Sequence, residues 1–138
     1  MNKRGFTLVE LLAVIVILGI LLVIAIPKIS DIISVSKEGT FKTDINSIIK
    51  LVKIHYQENY GGSLNSSNKI YNIENNKIML NNVDLKLSSK TGTLTGTVEV
   101  NSNGETKVII HNSDYCGLKN FNSELSVHSL SVNNSCSL

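Results

Sequence analysis

The chain of 138 residues contains a single arginine, Arg4, and aromatic residues make up only 5% of it. Proteins that bind nucleic acid usually present clustered arginine and lysine side chains, with aromatic rings for stacking. Two of the 13 basic residues, Lys3 and Arg4, lie at the very start, and 11 acidic residues offset the others. Nucleic acid is therefore disfavoured as a specific ligand.

Motifs of known catalytic sites are missing as well. There is no glycine-rich phosphate loop, no H-E-x-x-H and no G-x-S-x-G. His55 falls on the head-facing part of the helix beside Tyr56 and is interpreted as a packed or capping histidine. His111 and His128 fall in predicted strands without a nucleophile pattern and are too distant in sequence from each other for a close metal-ligand spacing. We therefore predict no enzymatic activity, no cofactor and no metal site.

What the chain does have is one long apolar run. In Phe6–Ile26, FTLVELLAVIVILGILLVIAI, 19 of 21 residues are apolar or glycine, the exceptions being Thr7 and Glu10. As a helix this run is roughly 31 Å long, which matches the ~30 Å hydrocarbon core of a bilayer. The basic residues Lys3 and Arg4 place the start of the chain in the cytoplasm and everything after the run outside.

Glu10 does not suit a plain membrane anchor. The run is longer than the apolar region of a secretory signal, about 7–15 residues, and Pro27-Lys28-Ile29 follows it instead of a small-residue cleavage site. A carboxylate inside a bilayer costs about 2.5–3.5 kcal/mol at the helix centre and less near its end. Because the run contains no basic residue, a positive partner for Glu10 must come from the leader or from an amine created by removing it.

The segment GFTLVE at residues 5–10, with a basic leader before it and a hydrophobic helix and Pro27 after it, resembles the class III signal of type IV prepilins and pseudopilins. The resemblance implies that a prepilin peptidase cuts between Gly5 and Phe6 and that the new Phe6 amine is N-methylated. It also implies that Glu10 pairs with the Phe6 amine of a neighbouring subunit and sets the register of a filament. Cleavage would supply the positive charge that Glu10 lacks.

The apolar pattern continues beyond Pro27 at steps of three and four, as on one face of a helix. This stripe consists of Ile29, Ile32, Ile33, Phe41, Ile45, Ile48, Ile49, Val52 and Tyr56. We predict one helix from about Phe6 to Tyr60, ended by Gly61-Gly62. Pro27 should kink this helix, and Gly19 should weaken the stretch before the kink. Resemblance to pilins adds that the segment between Gly19 and Pro27 can lose helicity inside a filament.

Residues 63–138 are predicted to form short strands and loops, from their period-two alternation and turn residues. The predicted strands are Ile70–Ile73, Ile78–Leu80, Val83–Leu87, Thr93–Val100, Thr106–Ile110 and Leu125–Val132. Asn75-Asn76 and Asn103-Gly104 are predicted hairpin turns, and the second should place both of its residues at positive φ. The predicted fold class is α+β: a long N-terminal helix whose stripe from Phe41 to Tyr56 packs against a small antiparallel sheet, as in pilins.

The two cysteines, Cys116 and Cys136, both fall on the exported side of the membrane. An even cysteine count in an oxidising compartment predicts a disulfide, worth roughly 3 kcal/mol in the chain-entropy model. Two free buried thiols are the alternative. The chain is thus divided into a leader (1–5), a membrane or filament-core helix (6–27), an amphipathic continuation (28–60) and a sheet head with a C-terminal disulfide loop (61–138).

Three functions fit these features. The first is the structural subunit of a type IV pilus, held in the cytoplasmic membrane with its head outside and then assembled into an extracellular filament for adhesion or motility. Its implied partners are identical or related pilin subunits, a prepilin peptidase and methylase, the pilus assembly machinery and, before assembly, the membrane. The second is a minor pilin or pseudopilin of a secretion or DNA-uptake system. The third, which needs no cleavage, is a membrane-anchored surface binding module.

Overall fold

The computed structural model describes residues 5–61, 67–80, 83–86, 89–130 and 135–137, with side chains at all of them except 80 and 83–86. One helix, α1, covers Leu8–Tyr60. The chain forms two compact units that divide within this helix, between Ser36 and Lys37. The predicted helix is confirmed, and its end at Tyr60 is where the sequence placed it.

In the first unit the helix is apolar on every side from Leu11 to Ile26. Its large apolar side chains are all exposed, from Phe6 (83%) at the start to Val35 (70%) near the end. A helix that is hydrophobic all round requires an apolar environment on all sides. The helix continues through Gly19 and Pro27, and the kink at Pro27 stays a prediction.

In the second unit the same helix becomes amphipathic. Phe41, Ile45, Ile48, Val52 and Tyr56 recur at steps of three and four and are buried. Long side chains at this spacing lie above one another on one helix face. The predicted stripe from Phe41 to Tyr56 is therefore confirmed as the face that α1 gives to the core.

The second unit also contains one antiparallel sheet of seven strands. These are β1 Lys69–Glu74, β2 Lys77–Leu80, β3 Val83–Lys86, β4 Thr95–Val100, β5 Thr106–His111, β6 Tyr115–Lys119 and β7 Ser126–Ser129. Their order across the sheet is β3-β2-β1-β4-β5-β6-β7. The predicted strands are present, β4 beginning two residues later than expected, and β6 was not predicted at all. The last strand was predicted to continue to Val132, but β7 ends at Ser129 and Leu130 is no longer in a strand. The predicted end of the third strand at Leu87 lies outside the described residues.

The two hairpin turns differ from each other. In the β1–β2 turn Asn75 (φ 49°) and Asn76 (φ 61°) both have positive φ, as in a two-residue hairpin. In the β4–β5 turn only Gly104 (φ 78°) does, so the expectation that Asn103 shares this conformation is wrong. The reason is a longer loop, in which the Asn101 side-chain oxygen accepts hydrogen bonds from the backbone N–H groups of Asn103 (3.0 Å) and Glu105 (2.9 Å).

The core lies between α1 and one face of the sheet. It consists of Phe41, Ile45, Ile48, Val52, Tyr56, Tyr71, Ile73, Ile78, Leu94, Val98, Val100, Val108 and Ile110. At Gly117 of β6 an added Cβ would collide with Cδ1 of the fully buried Ile45. The helix side chain of Ile45 therefore packs directly against the backbone of the sheet at Gly117, where the sheet has no side chain.

Asp44 is a buried carboxylate on the core face of α1, with only 8% of its surface exposed. Its Oδ2 accepts hydrogen bonds from the hydroxyls of Ser89 (2.9 Å) and Thr91 (2.7 Å) and from the backbone N–H of Lys90 (3.1 Å). These three residues belong to the connection that leads from the edge strand β3 to the central strand β4. Asp44 therefore fastens this connection to the helix.

Asp44→Ala should lower the free energy of unfolding of the head by about 3 kcal/mol, because three donors lose a charged acceptor in a buried place. Denaturant titration of the full chain in detergent, followed by circular dichroism, measures this loss. Asp114→Ala is the matched control, because Asp114 is exposed and should change the free energy of unfolding by no more than about 0.5 kcal/mol. Equal midpoints for the two variants would contradict the fastening role.

Candidate functional site

The residues predicted to direct processing and assembly, Gly5, Phe6 and Glu10, lie at the start of α1. Gly5, Phe6 and Thr7 have no regular secondary structure, and the helix begins at Leu8. The first helical hydrogen bond runs from the backbone N–H of Leu11 to the carbonyl of Thr7 (3.2 Å). Thr7 is therefore the N-cap of α1, and Glu10 lies in its first turn.

Thr7 and Glu10 form a reciprocal capping box. Oε2 of Glu10 accepts hydrogen bonds from the backbone N–H of Thr7 (2.8 Å) and from its hydroxyl (2.8 Å), while the backbone N–H of Glu10 donates to Oγ1 of Thr7 (3.3 Å). This arrangement satisfies polar groups that have no partner inside a helix. It also places a negative charge at the positive end of the helix dipole, where it is stabilising.

This local partner of Glu10 was missed by the sequence analysis, which considered only positive charges. The signal was present, because Thr7-Leu8-Val9-Glu10 has the S/T-x-x-E spacing of a capping box. Both bonds to Glu10 end on Oε2. Since a carboxylate has about four acceptor positions on two oxygens, Glu10 can accept a further donor without losing Thr7.

The bond between Gly5 and Phe6 lies in exposed, non-helical backbone just ahead of the capping box. An added Cβ on Gly5 would meet no atom within 4 Å. The fold of this chain therefore does not require glycine at position 5. The leader residues Met1–Arg4 lie outside the described part of the chain.

Within the residues that the structure describes, α1 is the one helix that is long and apolar enough to cross a membrane. None of its most apolar 18-residue stretch is buried by the rest of the chain. Gly19 lies in this helix with open space around it. The membrane-length apolar part of α1 is therefore exposed, with no other described part of the chain packed against it.

The predicted disulfide is confirmed. Cys116 in β6 and Cys136 near the C-terminus are bonded to each other, with their Cα atoms 5.6 Å apart and a sequence separation of 20 residues. The closed loop contains β7, which is the edge strand on that side of the sheet. The bond therefore fastens the C-terminal segment and the edge strand to β6.

The three histidines occupy two different places. Nδ1 of His55 lies 3.1 Å from the Tyr71 hydroxyl and the two rings meet edge to face, which confirms a packed histidine. Burial, with a smaller contribution from the neighbouring hydroxyls of Tyr60 and Tyr56, raises the pKa of Tyr71 to about 12. The sheet brings His111 and His128 onto the strands on either side of Cys116, although their sequence positions gave no sign of this.

Comparison with known proteins finds one family match and one similar protein. Residues 1–26 match the family described as the prokaryotic N-terminal methylation motif. Over 57 residues, 41% of this chain, the sequence is 40% identical to the type IV major pilin protein PilA of Myxococcus xanthus (strain DK1622). The aligned segment spans 26% of that relative, about a quarter of its length. No solved structure matches the chain.

The family match covers Gly5, Phe6, the capping box and the apolar part of α1 up to Ile26. This match agrees with the resemblance to the signal of type IV prepilins and pseudopilins, which was inferred from the leader, Gly5, Phe6 and Glu10. Residues 1–26 of this chain therefore carry the prokaryotic N-terminal methylation motif.

Proposed function

We propose that this chain is the structural subunit of a type IV pilus. The observation that carries the proposal is the junction at the start of α1, where an exposed Gly5–Phe6 bond is followed by a capped carboxylate and an apolar helix that the chain leaves uncovered. A filament made of such helices would cover that surface. The chain acts through assembly, and the proposal assigns it no catalytic role.

The first step is processing at the membrane. A prepilin peptidase hydrolyses the amide bond between Gly5 and Phe6, which leaves a carboxylate on the five-residue leader and a cationic amine on Phe6. A methylase then transfers a methyl group from an electrophilic methyl donor, whose leaving group departs, to the deprotonated amine. The product is a secondary amine, which takes up a proton again and keeps its positive charge. The leader with Lys3 and Arg4 is lost, and the only positive charge beside Glu10 is then the terminal amine.

The second step is the exchange of lipid for neighbouring helices. The exposed side chains between Leu11 and Ile26 are apolar on every side of α1, so they contact acyl chains in the membrane and other copies of α1 in the filament. Where such surface would otherwise face water, burial contributes about 25 cal/mol per Å². Inside lipid, packing between helices supplies the attraction instead.

The third step selects the register between subunits. Glu10 accepts the Phe6 amine of a neighbouring subunit while Thr7 continues to hold Oε2. The desolvation of an ion pair in an apolar core offsets most of its attraction, but a wrong register leaves a buried charge unpaired, which costs about 3–5 kcal/mol. The pair therefore decides which axial arrangement of helices is stable.

The head remains outside and forms the surface of the filament. Its edge strand β7 lies within the loop that the Cys116–Cys136 disulfide closes, and a disulfide is suited to an oxidising extracellular location. Before assembly the subunit resides in the cytoplasmic membrane with the head outside. Its partners are identical or related pilins and the assembly machinery in the membrane.

A minor pilin or pseudopilin has the same signal, so residues 1–26 do not separate it from a major pilin. The similarity to a protein named a major pilin favours the major role for this chain. Glu10 supports it too, because a subunit that accepts a neighbour's amine can be added repeatedly. A major subunit should dominate the protein of sheared surface filaments, whereas a trace amount there would favour a minor role.

The direct test is the chemical identity of the first residue in protein isolated from its own cells. We expect the mature chain to begin at N-methylated Phe6 and to sediment with surface filaments. Mass spectrometry of the intact protein and of its N-terminal peptide measures both features. A chain that still begins at Met1 and remains in the membrane fraction would instead support the membrane-anchored binding module.

A further inference from the structure

Two histidines and a cysteine form one row across three neighbouring strands. His111 of β5 is directly opposite Cys116 of β6, and Cys116 is directly opposite His128 of β7. Directly opposed residues in an antiparallel sheet point to the same face, with Cβ atoms about 4.5–5.5 Å apart. The two imidazoles therefore flank the cysteine from both sides.

This row lies on the face of the sheet that is turned away from α1. In β5 the buried residues that alternate with His111 are Val108 and Ile110, which belong to the core under the helix. In β6, Gly117 next to Cys116 faces Ile45 of α1. Alternation along each strand then places His111 and Cys116 on the opposite face.

The same argument holds for β7. Val127 packs against the core, so its neighbour His128 belongs to the outer face. Cys136 reaches Cys116 there through the disulfide. The outer face thus collects two imidazoles and both cysteine sulfur atoms of the chain, in a region where the histidines are half-buried.

In the disulfide-bonded protein, no group of three or more His, Cys, Asp or Glu side chains among the described residues can hold a metal ion. In this state the sulfur atoms of Cys116 and Cys136 are bonded to each other and are not thiolate ligands. Reduction would free two sulfur ligands beside two nitrogen ligands. Two cysteines and two histidines are a common ligand set of structural zinc sites, which are tetrahedral and closed.

We propose that the reduced protein binds one thiophilic divalent cation such as Zn²⁺. Its ligands are Cys116, Cys136, His111 and His128. A dithiol donates two electrons and two protons to the disulfide and becomes a disulfide itself, leaving two thiols on the protein. The cation then displaces both thiol protons and is held by two thiolates and two neutral imidazoles. The C-terminal segment stays fastened to β6 in either state, by the disulfide or by the metal.

Cobalt(II) is the probe, because thiolate-bound tetrahedral Co²⁺ absorbs visible light, and Zn²⁺ competition then gives the zinc affinity. The full-length chain is purified in detergent, stripped with a chelator and reduced with a phosphine that binds Co²⁺ weakly. We expect one Co²⁺ per chain with a tetrahedral thiolate spectrum after reduction, and no such spectrum before it. Absence of this spectrum in the reduced protein would overturn the proposal.

The third histidine provides the matched control. His111→Ala and His128→Ala should each weaken Zn²⁺ binding by more than about 100-fold, since loss of even an outer-shell partner costs roughly 10- to 100-fold. His55→Ala should leave the affinity unchanged, because His55 packs against Tyr71 on the helix side. Circular dichroism of each variant in its disulfide-bonded form checks that the sheet is intact. Equal affinities for all three variants would show that the thiols bind alone and would overturn the four-ligand site.

Discussion

Gly5→Val is expected to leave the full-length precursor in the membrane and to abolish filaments. A peptidase that admits the chain closely on both sides of the Gly5–Phe6 bond has no room for a branched side chain at position 5, whereas glycine has no Cβ. A shift of the reacting groups by ~1 Å is enough to slow cleavage about 100-fold. The processed fraction, measured by immunoblot and by N-terminal mass spectrometry in the native host, should fall accordingly.

The structure makes this substitution informative. A Cβ at Gly5 would meet no atom of the chain within 4 Å, so the variant should insert and fold normally, and any loss of cleavage reports on the peptidase. Gly19→Val is the matched control, because Gly19 is equally uncrowded but lies well inside the helix. It should be cleaved like the unaltered chain. Normal processing of Gly5→Val would remove Gly5 from the cleavage site.

Much of the fold follows from local patterns in the sequence. The stripe from Phe41 to Tyr56 shows the periodicity of an amphipathic helix, and the alternation of β1, β2, β4 and β5 shows that of half-buried strands. Strand β6 lacks this alternation of apolar and polar residues, because the residue at its centre, which faces α1, is Gly117. A glycine carries no apolar signal, and it is needed there only because Ile45 of α1 lies against it.

Features that depend on distant parts of the chain could not be predicted in this way. Asp44 interrupts an apolar stripe, and its partners Ser89, Lys90 and Thr91 are more than 40 residues away. The row of His111, Cys116 and His128 requires the register of three strands, and sequence spacing does not contain it. The capping box is the opposite case, because Thr7 and Glu10 are three residues apart and their pairing could have been read directly.

The capping box also separates two explanations for Glu10. In one, its carboxylate serves the helix start within its own chain, through Thr7. In the other, its negative charge serves assembly, through the Phe6 amine of a neighbour. Both roles are lost together in Glu10→Ala, which we expect to insert and be cleaved but to assemble poorly. A substitution that keeps one role and removes the other is therefore needed.

Glu10→Gln is that substitution, because glutamine can accept the Thr7 hydrogen bonds in a capping box but carries no charge. We expect it to be cleaved and methylated at Phe6 but to reduce the yield of filaments at least about tenfold. This corresponds to a loss of about 1.4 kcal/mol or more for each Glu10–Phe6 contact between subunits. Thr7→Val is the reciprocal change: it keeps the charge and the shape but removes the hydroxyl, at a cost to the helix start of about 1 kcal/mol. Quantifying sheared filaments from both strains decides between the roles. Full assembly of Glu10→Gln together with failure of Thr7→Val would assign Glu10 to the helix cap and remove charge pairing from the assembly mechanism, whereas the reverse pattern means that the carboxylate acts between subunits.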